Sequence, residues 1–181
     1  LDGTRVYSDR ESMGAALFRQ SPVKVDLVTA IPDSAIPAAV GYARESGIVF
    51  EETLIKNRNS GRTFIEPTQA LREAVVKGKF TALKENIEGK KIVLIDDSIV
   101  RGTTTPQVVN LLKAAGAKEI HLRVCAPPIK YPCHYGIDMP SRGELIASNS
   151  TVDEIRIQLG VDSLEYLDIT LLREAVGGDP D

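Results

Sequence analysis

The sequence contains two stretches with the same order of features: a short apolar run, a polar turn, and a segment with helical periodicity. In the first stretch, residues 25–31 predict a buried strand, residues 32–34 a turn, and residues 35–46 an Ala-rich helix. Gly47 follows that helix at the position where a left-handed residue commonly ends one. A second strand near residues 48–55 would then complete a β-α-β unit.

The second stretch repeats this order. Residues 91–95 predict a strand, residues 96–105 a turn, and residues 106–115 a helix that ends at Gly116. Residues 119–126 predict the next strand. Strands that alternate with helices of this length are typical of a parallel sheet with helices on both faces. We therefore predict an α/β fold with a central, mostly parallel sheet that binds ligands at the carboxyl ends of its strands.

Two capping boxes mark further helices. Ser8 and Glu11 have the spacing of a capping box and predict the start of an N-terminal helix. Thr151 and Glu154 have the same spacing, and Gly160 would end the helix that begins there.

The remaining segments have no clear strand pattern. The polar and basic residues 57–68 predict a long mobile loop, and residues 68–79 have a helical pattern. Residues 141–177 predict small C-terminal elements that end in a short helix. A length of 181 residues is typical of one domain, so we predict a single domain over residues 1–181.

Composition excludes several classes of protein. With 22 Lys and Arg against 25 Asp and Glu, the net charge of −3 gives no long-range attraction for nucleic acid or acidic membranes. No apolar stretch approaches the roughly 18 residues that a membrane span requires. Two cysteines, Cys125 and Cys133, are too few for a disulfide scaffold and are typical of a reducing compartment. We therefore predict a cytoplasmic protein with no nucleic-acid or membrane partner.

Residues 92–105 carry the clearest chemical signal. An apolar strand ends at two adjacent carboxylates, Asp96 and Asp97, and a turn rich in Gly and Thr leads into a helix. Backbone N–H groups, hydroxyls and a helix N-terminus bind phosphate, while paired carboxylates accept hydrogen bonds from sugar hydroxyls and bind Mg²⁺. Because no Gly-x-x-x-x-Gly-Lys element is present, a sugar phosphate fits better than a nucleoside triphosphate. The alternative is that the carboxylates only cap a turn and the threonines only begin a helix.

Four segments of the sequence resemble one family of enzymes. Residues 92–105 resemble the signature of the type I phosphoribosyltransferases, which bind 5-phosphoribosyl 1-pyrophosphate. Together with segments inside residues 31–43, 55–65 and 127–138, they resemble the glutamine phosphoribosylpyrophosphate amidotransferases. The resemblance extends over about residues 6–176. It implies the type I phosphoribosyltransferase fold and transfer of the phosphoribosyl group to ammonia, the first step of de novo purine synthesis.

The resemblance also implies roles for several residues at and after the end of the strand predicted at residues 91–95. Asp96 and Asp97 would bind the ribose 2′- and 3′-hydroxyls and, with Ser34, Mg²⁺. The 5-phosphate would lie in the turn that follows, where the residues implied for this role are Ser98, Arg101, Gly102, Thr103 and Thr104.

A second group of residues would hold the leaving group. Asp33 and Ser34 would contact the pyrophosphate, and the loop cations Lys56, Arg58 and Arg62 would close over it. Displacement at an anomeric carbon passes through an oxocarbenium-like state, so cations at the leaving group and exclusion of water favour the reaction. The alternative for the three cations is a solvated basic surface loop.

The sequence departs from this family in one large respect. The family's glutaminase domain, with its N-terminal cysteine nucleophile, has no counterpart among the 181 residues, which implies an ammonia-dependent enzyme. Free ammonia or a separate glutaminase would then be its partner. Asn59 and Ser60 replace a usual aromatic-aliphatic pair near the family's ammonia channel, which favours a glutaminase-free protein over an excised domain. The family assembles as dimers or tetramers, so we expect a homo-oligomer.

One family cofactor is not expected here. Some members carry an iron–sulfur cluster, and Cys133 matches one of its ligands, but the other three ligands have no counterpart. A cubane cluster needs four thiolates, so we predict no iron–sulfur cluster. Mg²⁺ is the cofactor that the resemblance implies.

Two other functions stay open. A nucleobase phosphoribosyltransferase of the same fold would need a platform that stacks a base, and 5% aromatic residues with no Trp give it little support. A non-catalytic sensor of the sugar phosphate would be expected to lack the paired carboxylates or the loop cations. Both features are present, so the sequence favours an enzyme.

Overall fold

The structure is a computed structural model, and it describes residues 5–57, 79–133 and 142–177. The strands of these residues are β1 (Leu27–Ala30), β2 (Leu54–Lys56), β3 (Phe80–Ala82), β4 (Lys91–Asp96), β5 (Glu119–Val124) and β6 (Ser163–Tyr166). The helices are α1 (Val6–Gln20), α2 (Ile36–Ser46), α3 (Lys84–Ile87), α4 (Thr105–Ala114), α5 (Ile146–Asn149), α6 (Val152–Leu159) and α7 (Ile169–Ala175), with a 3-10 turn at Arg142–Glu144. Both predicted strand-turn-helix units are present as β1-α2 and β4-α4.

Four strands form one parallel sheet in the order β1-β4-β5-β6. Ala30 at the end of β1 pairs with Ile95, next to the end of β4. Parallel neighbours bring the turns that follow them to the same edge of the sheet. Residues 31–34 and 97–104 therefore leave the sheet side by side. The predicted α/β fold of the type I phosphoribosyltransferases is confirmed.

Helices cover both faces of this sheet because its strands are apolar on both sides. Ile92 and Leu94 of β4 pack in one cluster with α4 and α6, while Val93 and Ile95 pack in another with α1 and α2. Full burial of a side chain of this size contributes roughly 1.5–3 kcal/mol relative to exposure. β4 is thus held on both faces, and so are the carboxylates at its end.

Two glycines allow α1 and α2 to cross closely. A Cβ atom at Gly14 would overlap the carbonyl oxygen of Ala38, and one at Gly41 would overlap that of Glu11. These obstacles are backbone atoms, which cannot turn aside as a side chain can. The crossing therefore requires glycine at both positions and brings α1 close to the turn that precedes α2.

The predicted second strand of the first unit differs from the structure. Phe50 forms only an isolated parallel bridge with Val28. The strand itself is β2, which pairs antiparallel with β3 in a separate two-stranded sheet. Glu51 and Glu52 explain the break, because carboxylates are disfavoured in a buried strand. The predicted loop at 57–68, from Arg58 onward, and the predicted helix at 68–79, except its last residue, lie outside the described residues.

One predicted capping box is confirmed and the other is wrong. Thr151 Oγ1 accepts a hydrogen bond from the Glu154 N–H (3.3 Å), and the Thr151 N–H donates to the Glu154 carboxylate (2.8 Å). In contrast, α1 begins at Val6, so Ser8 lies inside the helix, where its carbonyl oxygen accepts from Ser12 Oγ (3.1 Å). Residues three apart also share a face in mid-helix, so the spacing alone misplaces the start.

Two helices end at the predicted glycines, whereas one strand of the main sheet was not predicted. Gly47 and Gly160 follow α2 and α6 with φ of 72° and 70°, the left-handed conformation expected of a C-terminal cap. β6 has no apolar run, and it forms because Leu164 pairs with Leu122 of β5. The segment 141–177 therefore supplies an edge strand of the main sheet.

Both cysteines are free thiols, Cys125 buried and Cys133 half-buried. Across the ranges that the structure describes, no helix has both the length and the apolarity to cross a membrane. The cytoplasmic location and the absence of an iron–sulfur cluster stay predictions.

Candidate active site

A cleft of about 670 Å³ opens at the carboxyl ends of β1 and β4. The turns after these strands form much of its wall, and residues of α1, β2 and β3 complete it. Every predicted site residue that the structure describes lines this cleft: Asp33, Ser34, Lys56, Asp96, Asp97, Ser98, Arg101, Gly102, Thr103 and Thr104. Arg58 and Arg62 lie outside the described residues. Residues far apart in the chain thus meet at the sheet edge predicted for ligands.

Asp96 is the buried acid of the cleft, with 7% of its surface exposed. Burial, followed by the neighbouring Asp97 carboxylate, raises the pKa of Asp96 to about 8. Its Oδ1 accepts a hydrogen bond from the Asp97 N–H (2.9 Å), and Thr105 Oγ1 lies 3.5 Å from Oδ2. Asp96 is therefore mostly protonated at neutral pH, and a cation or a pair of hydroxyl donors would favour its charged form.

Two other titratable groups near Asp96 stay neutral. Burial, with a further contribution from the Asp96 charge, raises the pKa of the Cys125 thiol and of the Tyr166 hydroxyl to about 12. Neither group ionises near pH 7, so neither offers a general base to the cleft.

The turn from β4 to α4 has the features of an anion site. α4 begins at Thr105 with Pro106 in its first turn, and the Thr104 side chain does not cap it. The N–H groups of a helix N-terminus and its positive dipole end attract anions. Gly102 has φ of 66°, and a Cβ atom there would meet Ile146. Glycine at this position therefore lets the turn take a left-handed residue and pack against Ile146, while the N-terminus of α4 is the feature that would attract a phosphate.

Residues of the 3-10 turn and of α5 contact the turn between β4 and α4. Arg101 Nε donates to Glu144 Oε2 (3.0 Å), and the Ile146 N–H donates to the Val100 carbonyl oxygen (3.0 Å). Arg101, which the resemblance assigns to the phosphate, thus also forms an ion pair with Glu144. Sequence reasoning missed Glu144 because its partner is 43 residues away.

The turn after β1 forms the other side of the cleft. Lys56, at the end of β2, lies with its Nζ 2.7 Å from Asp33 Oδ2. Arg10 of α1 donates from Nη1 to the Ser34 carbonyl oxygen (3.0 Å). The peptide bond between Pro32 and Asp33 is cis. This side therefore combines two cations with a carboxylate and a hydroxyl.

Arg10 and Lys79 line the cleft but were not predicted. Arg10 lies in a helix whose pattern only indicates packing, and it reaches the cleft because α1 crosses α2 so closely. Lys79 precedes β3, and its backbone carbonyl accepts from the Asn57 N–H (2.8 Å). Neither position has a local signal, since both depend on contacts between distant segments.

A metal ion would find few protein ligands here. Among the described residues no group of three or more His, Cys, Asp or Glu side chains could hold one. Asp96 and Asp97 offer adjacent carboxylates in the cleft. Such a pair suits a cation that keeps several waters and completes its shell with substrate oxygens, as Mg²⁺ does.

Comparisons with known proteins agree with this geometry. The amidophosphoribosyltransferase of Archaeoglobus fulgidus is 55% identical over 97% of this chain and 38% of its own length. That of Methanothermobacter thermautotrophicus is 55% identical over 98% of this chain and 37% of its own length. A solved glutamine phosphoribosylpyrophosphate amidotransferase from B. subtilis, complexed with ADP and GMP, has a TM-score of 0.88 at 49% identity, covering 97% of this chain and 39% of that one. The chain spans less than two fifths of the length of these relatives.

A family model for the phosphoribosyl transferase domain matches residues 5–139. That range includes both strand-turn-helix units and every residue that lines the cleft. This chain therefore belongs to the phosphoribosyl transferase domain family.

Proposed function

We propose that this chain transfers the phosphoribosyl group of 5-phosphoribosyl 1-pyrophosphate to ammonia, giving 5-phosphoribosylamine and pyrophosphate, the first step of purine synthesis. One observation carries this proposal: the paired carboxylates and the phosphate turn share a single cleft with Asp33, Ser34 and Lys56. A sugar with phosphate at one end and pyrophosphate at the other needs two anion sites and acceptors for its hydroxyls. The amidophosphoribosyltransferases at 55% identity support the same reaction.

The sugar phosphate would be held by the second strand-turn-helix unit. The N-terminus of α4 and the backbone around Gly102 would bind the 5-phosphate. Asp96 and Asp97 would accept hydrogen bonds from the ribose 2′- and 3′-hydroxyls. Hydroxyl donors stabilise the carboxylate form, so binding would release the proton that Asp96 holds in the empty cleft.

The leaving group would be held by the other side of the cleft. The ammonia lone pair forms the new bond to C1 as the C1–O bond breaks, and pyrophosphate leaves with that bond's electron pair. The attacking nitrogen then loses one proton to solvent. Lys56 and Ser34 would bind the departing oxygens, and we assign Arg58 and Arg62 to the same task from the family pattern. Ammonia needs little help from a base, which agrees with the lack of an obvious base among the described residues that line the cleft.

Mg²⁺ is the cofactor that this donor set fits. Asp96 and Asp97, with Ser34, would hold it, and when bound it neutralises charge on the pyrophosphate. The two free cysteines serve no role in this reaction, and we propose that no iron–sulfur cluster is needed. A homo-oligomer, and a separate glutaminase as one source of ammonia, complete the proposal.

Pyrophosphate release tests this function. The chain is incubated with the sugar pyrophosphate and Mg²⁺, and ammonium, glutamine or nucleobases are added in turn. We expect release with ammonium, and a rate that rises with pH because neutral NH₃ is the reactive form. Asp97→Asn should abolish turnover, while Glu45→Gln, on the far end of α2, should retain it. Release only with a nucleobase would transfer the assignment to that class of transferase, and tight binding without turnover would favour a sensor.

A further inference from the structure

An ion pair between Lys56 and Asp33 lies at the edge of the cleft. The Nζ to Oδ2 distance is 2.7 Å, and the side chains of Lys56 and Asp33 are 37% and 68% exposed. Both residues line the same cavity. A ligand that enters the cleft from solvent therefore meets this pair. The cation proposed for the leaving group is already bound to a carboxylate.

Ordered backbone holds both partners. Lys56 pairs with Phe80 in the β2-β3 ladder. The carbonyl oxygen of Asp33 accepts from the Ile36 N–H (3.4 Å), and the next carbonyl, of Ser34, accepts from Arg10 (3.0 Å). The contact thus joins two anchored segments, and the Asp33 carboxylate stays close to Lys56 when a ligand arrives.

We propose that Asp33 is a specificity-determining residue that makes binding of the pyrophosphate group depend on an accompanying divalent cation. This inference rests on the proposed function of the cleft. A metal-free polyanion can bind Lys56 only by breaking its ion pair with Asp33, so the carboxylate competes with the polyanion for the same cation. When a divalent cation accompanies the pyrophosphate, Asp33 faces a positive charge instead, and Lys56 is released to the phosphate oxygens. Asp33 therefore weakens the binding of metal-free pyrophosphate more than it strengthens the binding of pyrophosphate with a divalent cation.

The test measures binding of inorganic pyrophosphate by isothermal titration calorimetry, once with EDTA and once with excess MgCl₂. The variant is Asp33→Asn, which keeps the shape and removes the charge. Exposed ion pairs contribute up to about 1 kcal/mol, so we expect metal-free affinity to rise about two- to fivefold. Affinity in MgCl₂ should stay equal or fall. The ratio of the two affinities, with Mg²⁺ over without, should therefore fall by at least about two- to fivefold.

Glu45→Gln is the matched control. Glu45 accepts from Arg19 Nη1 at 3.0 Å in another exposed ion pair, and it does not line the cleft. Glu45→Gln changes the net charge by the same amount as Asp33→Asn, so an effect of net charge alone would change the affinity ratio equally in both variants. An unchanged ratio in Asp33→Asn, or an equal change in Glu45→Gln, would overturn the inference and leave the pair as an ordinary surface contact.

A Lys56→Gln background tests whether the effect acts through the pair. There, Asp33→Asn should change metal-free affinity by less than about 1.5-fold, because no cation remains to be released. A full-sized effect would mean that Asp33 repels the anion without Lys56, which contradicts the mechanism. If the ratio shifts as expected but wild type turns over no substrate, the inference stands and the proposed reaction fails. If wild type binds no pyrophosphate under either condition, both fail.

Discussion

The burial of Asp96 predicts an unusual dependence of folding stability on pH. The pKa of Asp96 is raised from 3.8 to about 8, first by burial and then by the Asp97 charge. Between these two values the folded state holds a proton that the unfolded state has released. Stability falls as pH rises wherever the folded state binds more protons, so the empty protein loses stability from about pH 4 to about pH 8. The side chain of Asp96→Asn cannot ionise, so the folding stability of this variant should not show this fall with pH.

The size of the effect follows from the same values. One proton of difference costs about 1.4 kcal/mol for each pH unit, so this carboxyl removes about 3 kcal/mol between pH 5 and pH 7. Only 7% of Asp96 is exposed, so solvent screening reduces this figure little. A domain of this kind is stable by about 5–15 kcal/mol, which makes the loss easy to measure.

Urea unfolding followed by circular dichroism at pH 5, 6 and 7, in EDTA, would measure this loss of folding stability. We expect the stability of Asp96→Asn relative to wild type to grow by about 3 kcal/mol between pH 5 and pH 7. Glu45→Gln, at an exposed site, should follow wild type. If wild type and Asp96→Asn keep the same difference at every pH, Asp96 is not protonated in the empty cleft and the reasoning is wrong. The same variant should lose turnover, because the charged form is what the ligand requires.

Three further outcomes are expected. Gly14→Ala should destabilise the fold by about 1–3 kcal/mol, because the new methyl group meets backbone of α2, whereas Gly143→Ala has open space and should cost little; thermal unfolding would show equal losses if the helix crossing is loose. In native protein, an alkylating reagent at pH 8 should label Cys133 and spare Cys125, since burial holds the pKa of the Cys125 thiol near 12; mass spectrometry showing equal labelling would contradict this. Thr151→Ala should cost about 1 kcal/mol of unfolding free energy through loss of the α6 cap, and Thr151→Ser should restore most of it; an unchanged midpoint would mean that the cap contributes nothing.

Local chemistry made much of the site predictable. The carboxylates at the end of β4, the glycine in the following turn and the start of α4 lie within one short segment, and each has a role that its neighbours in sequence define. The same holds for the cap at Thr151, where the partner is three residues away. At Ser8 the same spacing gave a wrong helix start, because residues three apart also lie on one face inside a helix.

Contacts between distant segments were not predictable. Arg10 reaches the Ser34 carbonyl because two glycines let α1 and α2 approach, and Glu144 contacts Arg101 although 43 residues separate them in the chain. β6 forms only because β5 offers it a partner, since its own four residues have no apolar run. Such contacts require the whole sheet to be assembled before the residues meet.

The sequence by itself determined the α/β frame, the two turns at its ligand edge and the residue types available for phosphate, sugar and metal. These follow from periodicity, glycine placement and charge, which act over a few residues. Only the tertiary structure decided the charge state of Asp96, the pairing of Lys56 with Asp33 and the entry of Arg10 into the cleft. The physical reason is that burial and electrostatic partners depend on which distant segments pack together, and no local pattern records that packing.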